Sequence, residues 1–310
     1  MNIIEKITWR KYNFIKYHFP FLWNRILYKK LFDKVVDFNH LCDINEKIQW
    51  LMFYTDTSLW SKLADKYAVR QYVKDRIGKD ILIPLLGKWD RVEDIDFDSL
   101  PNKFVIKPNN GSYDTIVCRD KSKVNYDEIR DKMAYSLNHR FGYENAEPHY
   151  LHIKPCIIAE ELLEPEEKEG LVDYKIWCFN GKPYSIFVCL NRNPETHHAD
   201  FMSYDLNWNR CPQNISEPFR NSVECPKPMN LDKMLVIAAK LSEGFPQVRV
   251  DLYNIKGKIY FGEMTFTSNF GMMPYFTQQT LKDMGEQCIL PKRTFEEKVK
   301  TFIFRWFPII

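Results

Sequence analysis

Residues 249–265 read RVDLYNIKGKIYFGEMT, the most regular alternating segment of the chain. Side chains alternate between the two faces of a strand, and here apolar and polar residues alternate on both sides of Gly257. Glycine favours the backbone conformation that a tight turn needs. The stretch therefore predicts a β-hairpin that turns at Gly257, with one apolar face toward a core and one polar face.

Three charged side chains of this hairpin are expected to share its polar face. With a three-residue loop at 255–257, Arg249 lies opposite Glu263 and Asp251 lies diagonal to it. A two-residue loop would move Glu263 to the other face. Diagonal neighbours are about 7–8 Å apart, a gap that one hard cation with oxygen ligands can bridge. The hairpin predicts either a metal site or a solvated surface on which Arg249 and Glu263 form an ion pair.

The composition is that of a globular protein with a large core. The chain has 310 residues, of which 45% are hydrophobic and 15% aromatic. Its eight cysteines are scattered without a CxxC motif, which argues against a zinc site or a disulfide framework and for a reducing cytosol. No apolar run reaches the roughly 18 residues of a membrane span, and the N-terminus lacks a secretory signal pattern. We therefore expect a cytoplasmic protein.

The positive charge lies at the two ends of the chain. Residues 1–32 carry seven Lys or Arg against one Glu, and residues 291–310 carry five basic against two acidic residues. Both ends are also aromatic, with Trp9 and Trp306 as examples, and this mixture suits peripheral contact with the anionic inner face of a membrane. The alternative is that the ends form ordinary helices packed on the core. Nucleic acid is not an expected partner, because no recognisable binding motif accompanies the charge.

Periodicity and turn residues give a coarse order of elements. Residues 1–40 are predicted to be helical with a break at Pro20, and residues 191–228 to be irregular. Further helices are predicted over residues 46–54, 58–78, 126–140 and 231–243. Strands are predicted at residues 104–107, 116–120 and 157–163, and a hairpin at residues 173–190 that turns at Asn180-Gly181.

Lysines and carboxylates recur at the ends of these elements, in the order Lys66, Lys107, Glu160, Asp173, Lys175 and the hairpin of residues 249–265. This order resembles the ATP-grasp superfamily over about residues 60–275. The resemblance implies an α+β fold in which two α+β subdomains with antiparallel sheets clamp ATP, preceded by a helical N-terminal segment. It implies three parts of the chain. Residues 1–58 form the basic and aromatic N-terminal segment, residues 59–290 form the ATP-grasp domain, and residues 291–310 form a basic amphipathic tail. The adenine- and phosphate-binding subdomain lies at about residues 100–165.

The resemblance also implies which residues bind ATP. Lys66 and Lys107 match two lysines that act as compact cations on the phosphates, and Lys175 matches a third. The loop of residues 109–112 matches a lid that covers the phosphates with backbone N–H groups. The strand that ends at Glu160 matches the strand that reads adenine. The implied nucleotide contacts are Lys66, Lys107, Asn110, Gly111, Ser112, Glu160, Glu161, Leu163 and, for the ribose, Asp173.

The hairpin of residues 249–265 matches the catalytic and metal-binding end of the family site. Arg249 matches the arginine that steadies the transferring phosphoryl group, and it shares the catalytic role with Lys175. Asp251 and Glu263 match the Mg²⁺ ligands. The family usually has Asn two residues after the glutamate, whereas this chain has Thr265, so the third ligand is lost or is the Thr265 hydroxyl. Magnesium keeps several waters, and two carboxylates can suffice.

Three runs, DFDSLPNKFVIKPNNGS, DYKIWCFNGKPY and YFGEMTF, are similar to the teichuronopeptide-biosynthesis (TupA-like) branch of this superfamily. That similarity implies an ATP-dependent carboxylate-amine ligase of bacterial capsule or surface-polysaccharide synthesis. The carboxylate would belong to a uronic acid or an amino acid, and the amine to an amino acid or amino sugar. A lipid-linked glycan would suit the basic, aromatic ends. The resemblance assigns no acceptor-site residues, although Ser268 and Asn269 are candidates for substrate contact or a plain loop cap.

Two other functions remain open from the sequence. Asp94 and Asp96 form an Asp-x-Asp pattern that predicts a glycosyltransferase, but turn and capping roles explain both aspartates equally. An ATP-binding protein without ligase turnover is the other alternative, because the usual Asn after Glu263 is missing. His197 and His198 have no third partner in the sequence and predict a surface loop.

Overall fold

The computed structural model describes residues 12–112, 114–164, 171–191 and 199–306. The helices are α1 (residues 12–18), α2 (Pro20–Phe32), α3 (Ile44–Tyr54), α4 (Ser58–Ala64), α5 (Val69–Arg76), α6 (Tyr126–Asn138), α7 (Phe141–Glu144), α8 (Leu231–Ser242), α9 (Gln278–Gln287) and α10 (Phe295–Trp306). Short 3-10 segments lie at Lys79–Ile81, Val92–Asp94, Lys121–Lys123, Pro148–His152, Pro212–Asn214, Glu217–Phe219 and Ser268–Gly271.

A four-stranded antiparallel sheet carries the first group of predicted site residues. Its strands are β1 (Leu85–Trp89), β2 (Phe104–Pro108), β3 (Ile116–Cys118) and β4 (Ile157–Glu161), in the spatial order β1-β4-β2-β3. The buried side chains of Phe104 and Ile106 on β2 pack with Met133 of α6 in a core of their own. Alternating burial along β2 follows from the strand period of two.

A five-stranded antiparallel sheet carries the second group. Its strands are β5 (Asp173–Phe179), β6 (Lys182–Leu190), β7 (Asp200–Tyr204), β8 (Gln247–Ile255) and β9 (Lys258–Thr265), in the order β7-β6-β5-β8-β9. The larger hydrophobic core joins this sheet to α3, α4 and α8. The two antiparallel sheets with a helical N-terminal part confirm the predicted α+β class.

Strand β7 corrects the prediction that residues 191–228 are irregular. It pairs along its whole length with β6, from Ile186 opposite Tyr204 to Leu190 opposite Asp200. The five residues of β7 are too few for a periodic signal, and the pairing with β6 is what makes them a strand.

The hairpin of β8 and β9 turns at Gly257 as predicted, but its register differs from the predicted one. The turn has two residues, Lys256 and Gly257, both with positive φ, instead of three. By itself this turn would place Glu263 on the opposite face. A β-bulge at Gly262 adds one residue to β9, which returns Glu263 to the same face as Asp251. Asp251 therefore pairs directly with Glu263 and not diagonally.

The predicted helix over residues 58–78 is two helices. Between α4 and α5, the carboxylate of Asp65 accepts hydrogen bonds from the backbone N–H groups of Tyr67 and Ala68. The N–H of Lys66 donates to the carbonyl of Asn109 at 3.0 Å. Asp competes for backbone groups in this way, and it therefore favours a break that holds Lys66 beside the loop after β2.

The N-terminal helices pack on the rest of the protein. Phe21 of α2 is buried in the larger core, and the indole N–H of Trp23 donates to the carbonyl of Glu144 at 3.0 Å. Helix α10 contacts both α2 and α3. Within the described part of the chain, no helix is both long and apolar enough to cross a bilayer. Trp9, His197 and His198 lie outside the described residues, as do the side chain of Trp306 and the first residues of the basic N-terminal segment.

Candidate active site

Opposite charges from β5 and β8 meet on one face of the five-stranded sheet. Lys175 and Asp251 are direct cross-strand partners, and Lys175 Nζ lies 2.6 Å from Asp251 Oδ2. The same Nζ lies 2.5 Å from Asp173. Asp173 therefore lies within the polar cluster, two residues from Lys175 on the same strand face.

The guanidinium of Arg249 fills the centre of this face. It donates Nε to Asp251 Oδ1 at 2.7 Å and Nη2 to Oδ2 at 2.6 Å, while Nη1 donates to the Ser268 hydroxyl. Nη2 also lies 3.2 Å from Glu263 Oε1 and 3.1 Å from Thr265 Oγ1. Arg249 Nη2 therefore contacts an oxygen of each of the three residues that the sequence predicts as metal ligands.

These three oxygens fit a small hard cation. Two carboxylates and a hydroxyl are the donor class that Mg²⁺ prefers, and they already converge on the positively charged nitrogen of Arg249. Within the described ranges, no group of three His, Cys, Asp or Glu side chains is placed so that it could hold a metal ion. The third protein oxygen at this point comes from Thr265, whose hydroxyl donates to Glu263 at 3.1 Å. Binding a metal ion here requires Arg249 Nη2 to withdraw.

The surrounding charges set the protonation of the cluster. Burial would raise the pKa of the Glu263 carboxyl, but the positive charges of Lys66, Arg249 and Lys175 outweigh it and lower this pKa to about 2. Burial and the charge of Arg249 would lower the pKa of Lys175, yet Asp173 and Asp251 raise it. The cluster therefore holds ionised Glu263 and protonated Lys175 across the neutral pH range.

Lys66 connects the loop after β2 to the hairpin of β8 and β9. Its Nζ donates to the carbonyl of Gly111 at 2.7 Å and lies 3.7 Å from Glu263 Oε2. Burial is the main cause that lowers the pKa of Lys66, with Lys107 acting in the same direction and Glu263 against it. In the same loop the Asn110 side chain is buried and Ser112 is exposed.

On the four-stranded sheet, the carboxylate of Glu160 is held by two cations. Lys107 Nζ lies 2.6 Å from Oε2, and Arg70 Nη1 lies 2.8 Å from Oε1. Arg70 also donates to the carbonyl of Ile83 at 2.7 Å. Arg70 carries no signal in the sequence, because its partner lies 90 residues away and no local motif marks it. Arg70 fixes the orientation of a carboxylate that the sequence assigns to adenine.

The remaining predicted residues lie at the edges of this arrangement. Glu161 is exposed on the last position of β4, and Leu163 is partly buried beyond it. Asp96 accepts hydrogen bonds from the backbone N–H groups of Asp98 and Ser99, which is the capping role expected of a turn. The Ser268 hydroxyl holds Arg249, and the Asn269 amide donates to Met272 within its own loop.

Two further ionisable groups near the cluster, the buried Glu147 and the half-buried Tyr150, carry no signal in the sequence. Glu147 is 4% exposed, and its carboxylate accepts a hydrogen bond from Thr267 at 2.5 Å. Burial raises its pKa to about 8, although that hydrogen bond opposes the shift. Burial and the carboxylates of Glu147 and Glu263 raise the pKa of Tyr150, so this phenol stays neutral. Both residues come from the segment before β4, where the sequence shows no motif.

The comparisons with known proteins agree with the predicted family. The sequence model of the TupA-like ATP-grasp family matches residues 46–289. No curated protein matches the chain in sequence.

Similar solved structures share little sequence with this chain. D-alanine–D-alanine ligase from Bacillus anthracis is 15% identical over 81% of this chain and 71% of its own, with a TM-score of 0.41. The same ligase from Helicobacter pylori is 17% identical over 82% and 68%, with a TM-score of 0.42. The ATP-grasp ligase PsnB, complexed with a phosphomimetic variant of its minimal precursor, Mg and ADP, is 13% identical over 76% and 62%, with a TM-score of 0.43. Because the family match spans most of the sequence, the chain belongs to the TupA-like ATP-grasp family, within the ATP-grasp class of ATP-dependent ligases.

Proposed function

We propose that this protein is an ATP-dependent carboxylate-amine ligase that forms an amide through an acyl phosphate. The observation that carries the proposal is the position of Lys66, whose ammonium group contacts both the Gly111 carbonyl and the Glu263 carboxylate. A phosphate-binding lysine beside a metal-binding carboxylate is the arrangement that transfer of a γ-phosphoryl group requires. The polysaccharide role and the substrates follow from the TupA-like family and remain part of the proposal.

ATP would lie between the two sheets. The adenine end would be at Glu160, Glu161 and Leu163, with the phosphates toward Lys66 and Lys107. Ser112, the exposed member of the loop after β2, and the N–H groups of Asn110 and Gly111 would cover the phosphates. The cations of this region are already spaced along the path from Glu160 to Glu263, which supports this orientation.

Asp251, Glu263 and Thr265 would hold Mg²⁺ at the point now taken by Arg249 Nη2. The ion, when bound, supplies charge neutralisation on the β- and γ-phosphate oxygens. Arg249, released from Asp251, would then be free to donate to the transferring phosphoryl group. Lys175 would keep its position beside Asp251, because its ammonium group is also held by Asp173.

The reaction needs no nucleophile from the protein. A substrate carboxylate oxygen attacks the γ-phosphorus, the bond to the β-γ bridging oxygen breaks, and ADP leaves with that electron pair. The amine of the second substrate then attacks the acyl carbon, loses a proton and displaces inorganic phosphate. Lys66, Lys175 and Arg249 position the phosphoryl group and neutralise its charge, which is the main contribution that such a site makes.

A contact with the membrane surface is a finer part of the proposal. Helices α2 and α10 contact each other, and their exposed side chains are mostly apolar or basic, with Glu296 as an acidic exception. Lipid-linked glycan substrates would bring such a surface to the inner leaflet. Co-sedimentation with vesicles of anionic lipid tests this, and recovery of all the protein in the supernatant would rule it out.

An ATP-binding protein without turnover is the second candidate. The bidentate contact of Arg249 with Asp251 and the presence of Thr265 in place of Asn both favour it. The glycosyltransferase alternative has less support, because Asp96 caps a turn.

Release of ADP separates these functions. The purified protein is incubated with MgATP and pairs of carboxylates and amines, including uronic acids, amino acids and amino sugars. We expect ADP only with a productive pair, and none from the Asp251→Asn variant, whereas Asp98→Asn, an exposed control, stays active. ADP release by native and Asp251→Asn protein alike would refute the assigned site. If MgATP binds and no pair is productive, the non-catalytic alternative gains support.

A further inference from the structure

A cavity of about 400 Å³ lies beside the loop that follows β2. Its polar lining is formed by Asn110, His139, Arg140, Tyr150, His152 and Lys154. Among the described residues that line it, none is acidic. A volume of this size accommodates a small organic molecule of one or two rings.

The cavity lies at the loop end of the four-stranded sheet, away from the predicted adenine contacts. In the antiparallel pair of β2 and β4, Phe104 lies opposite Glu161 and Pro108 lies opposite Ile157. Glu160 and Glu161 therefore mark one end of the pair, and the loop after Pro108 marks the other. A ligand in the cavity would approach the phosphates from the side opposite to adenine.

Hydrogen bonds connect the wall of the cavity to the loop that follows β2. The Asn109 amide donates to the carbonyl of Lys154 at 3.1 Å, and its oxygen accepts from the N–H of Cys156 at 2.8 Å. The backbone of Asn109 is in turn bonded to Lys66. The segment that carries Lys154 is thus fixed relative to the phosphate-binding lysine.

The charges of the cavity are only partly compensated. Arg140 donates to the carbonyl of Leu151 at 2.8 Å, and no carboxylate partner of it is found among the described residues. Glu144 lies 3.7 Å from His139, but it also pairs with Lys16. Lys154 lies 3.3 Å from Asp90, but the same aspartate also pairs with Lys88. One negative charge therefore serves two lysines, and the cavity keeps an excess of positive charge that favours an anion.

We infer that this cavity binds the organic carboxylate substrate, with Arg140 and Lys154 as the groups that recognise its negative charge. This inference rests on the proposed ligase function, and it adds the acceptor site that the family resemblance leaves unassigned. Arg140 provides the planar donor pair that a carboxylate accepts, and Tyr150 and Asn110 supply neutral hydrogen-bonding groups on the side nearer the phosphates. Lys154 adds a point charge at the outer rim.

Binding measured without ATP tests the site separately from turnover. Isothermal titration of the full chain uses digalacturonate and L-glutamate as probes, one from each proposed carboxylate class, and the fully esterified methyl esters of both as controls that lack the carboxylate charge. We expect saturable binding of at least one acid, no binding of its ester, and at least a tenfold loss of affinity in the double variant Arg140→Gln/Lys154→Gln. Lys132→Gln, an exposed lysine of α6 outside the cavity, should bind as the native protein does.

Thermal stabilisation by MgATP, measured on the same proteins, shows that the variants are folded and that the nucleotide site is intact. Absence of acid binding to the native protein, or equal binding by native and double-variant protein, would overturn the inference even if ATP turnover is found. Loss of MgATP stabilisation in the double variant, with acid binding retained, would overturn it as well and would assign the cavity to nucleotide phosphates. If the double variant is unfolded, each single variant is compared in the same way.

Discussion

Arg249 and Asp251, two residues apart on β8, form a two-point ion pair in which Nε and Nη2 lie 2.7 and 2.6 Å from the two carboxylate oxygens. The side chain of Arg249 is 11% exposed and that of Asp251 is 3% exposed. The guanidinium therefore neutralises a carboxylate that is predicted to bind Mg²⁺. A metal ion held by Asp251, Glu263 and Thr265 would take the place of Arg249 Nη2, so we expect metal binding to require the release of this nitrogen.

Replacing Arg249 should separate its two roles. We expect Arg249→Met to lower turnover by at least about 100-fold, because a charge that stabilises the transferring phosphoryl group is lost. Without metal the variant should be less stable than the native protein by about 3 kcal/mol, because Asp251 loses a buried partner. Thermal unfolding with and without Mg²⁺ measures this, and Mg²⁺ should stabilise the variant more than the native protein. Equal stabilisation of both by Mg²⁺ would contradict the coupling.

We expect Thr265 to influence how tightly a metal ion is held. Thr265→Val keeps the shape of the side chain but removes the hydroxyl oxygen, and we expect a higher Mg²⁺ concentration for half-maximal activity. Thr265→Asn introduces an amide oxygen at the position that usually carries Asn in the family, and it should lower that concentration. Titration of activity with Mg²⁺ at saturating ATP distinguishes the three proteins. If all three give the same midpoint, Thr265 is not a ligand.

Arg70 should matter for ATP affinity through Glu160. Arg70→Gln leaves this buried carboxylate with Lys107 alone, which we expect to cost about 1–3 kcal/mol of stability and to raise the KM for ATP by about tenfold. Arg76→Gln on the same helix is the matched control, because Arg76 pairs with the exposed Glu243 and such pairs contribute little. A KM for ATP unchanged by Arg70→Gln would show that Glu160 keeps its orientation without it.

Glu147 should make stability fall with pH. Its pKa in the folded protein is about 8, above the ordinary value of 4.5, so between these values the folded state holds a proton that the unfolded state has lost. The free energy of unfolding should then decrease by about 1.4 kcal/mol per pH unit from pH 5.5 to 7, and less steeply as the pH approaches 8, relative to Glu147→Gln, which has no such proton. Denaturant unfolding of both proteins at several pH values measures the difference. Parallel pH profiles would show that Glu147 is ionised when folded.

Local sequence was sufficient for the elements whose backbone conformation is set by neighbouring residues. Both hairpin turns were predicted, because the second residue of each turn, Gly181 or Gly257, is a glycine at positive φ. The register of β8 and β9 was not, because the bulge at Gly262 depends on how the whole strand pairs. The order of charged residues places Lys66 at the start of a helix, but the separation of α4 from α5 at Asp65 also depends on a tertiary contact, since the carbonyl of Asn109 accepts from the N–H of Lys66.

Residue types and their spacing along the chain are enough to predict the family, the two hairpin turns and the order of the charged residues from Lys66 to Glu263. Three sets of contacts arise only in the folded protein. Arg70 holds Glu160, Lys66 reaches both Gly111 and Glu263, and the guanidinium of Arg249 lies where the oxygens of the predicted metal ligands converge. Such ionic contacts act over a few ångströms in space, and here they join strands and loops that are far apart in the chain.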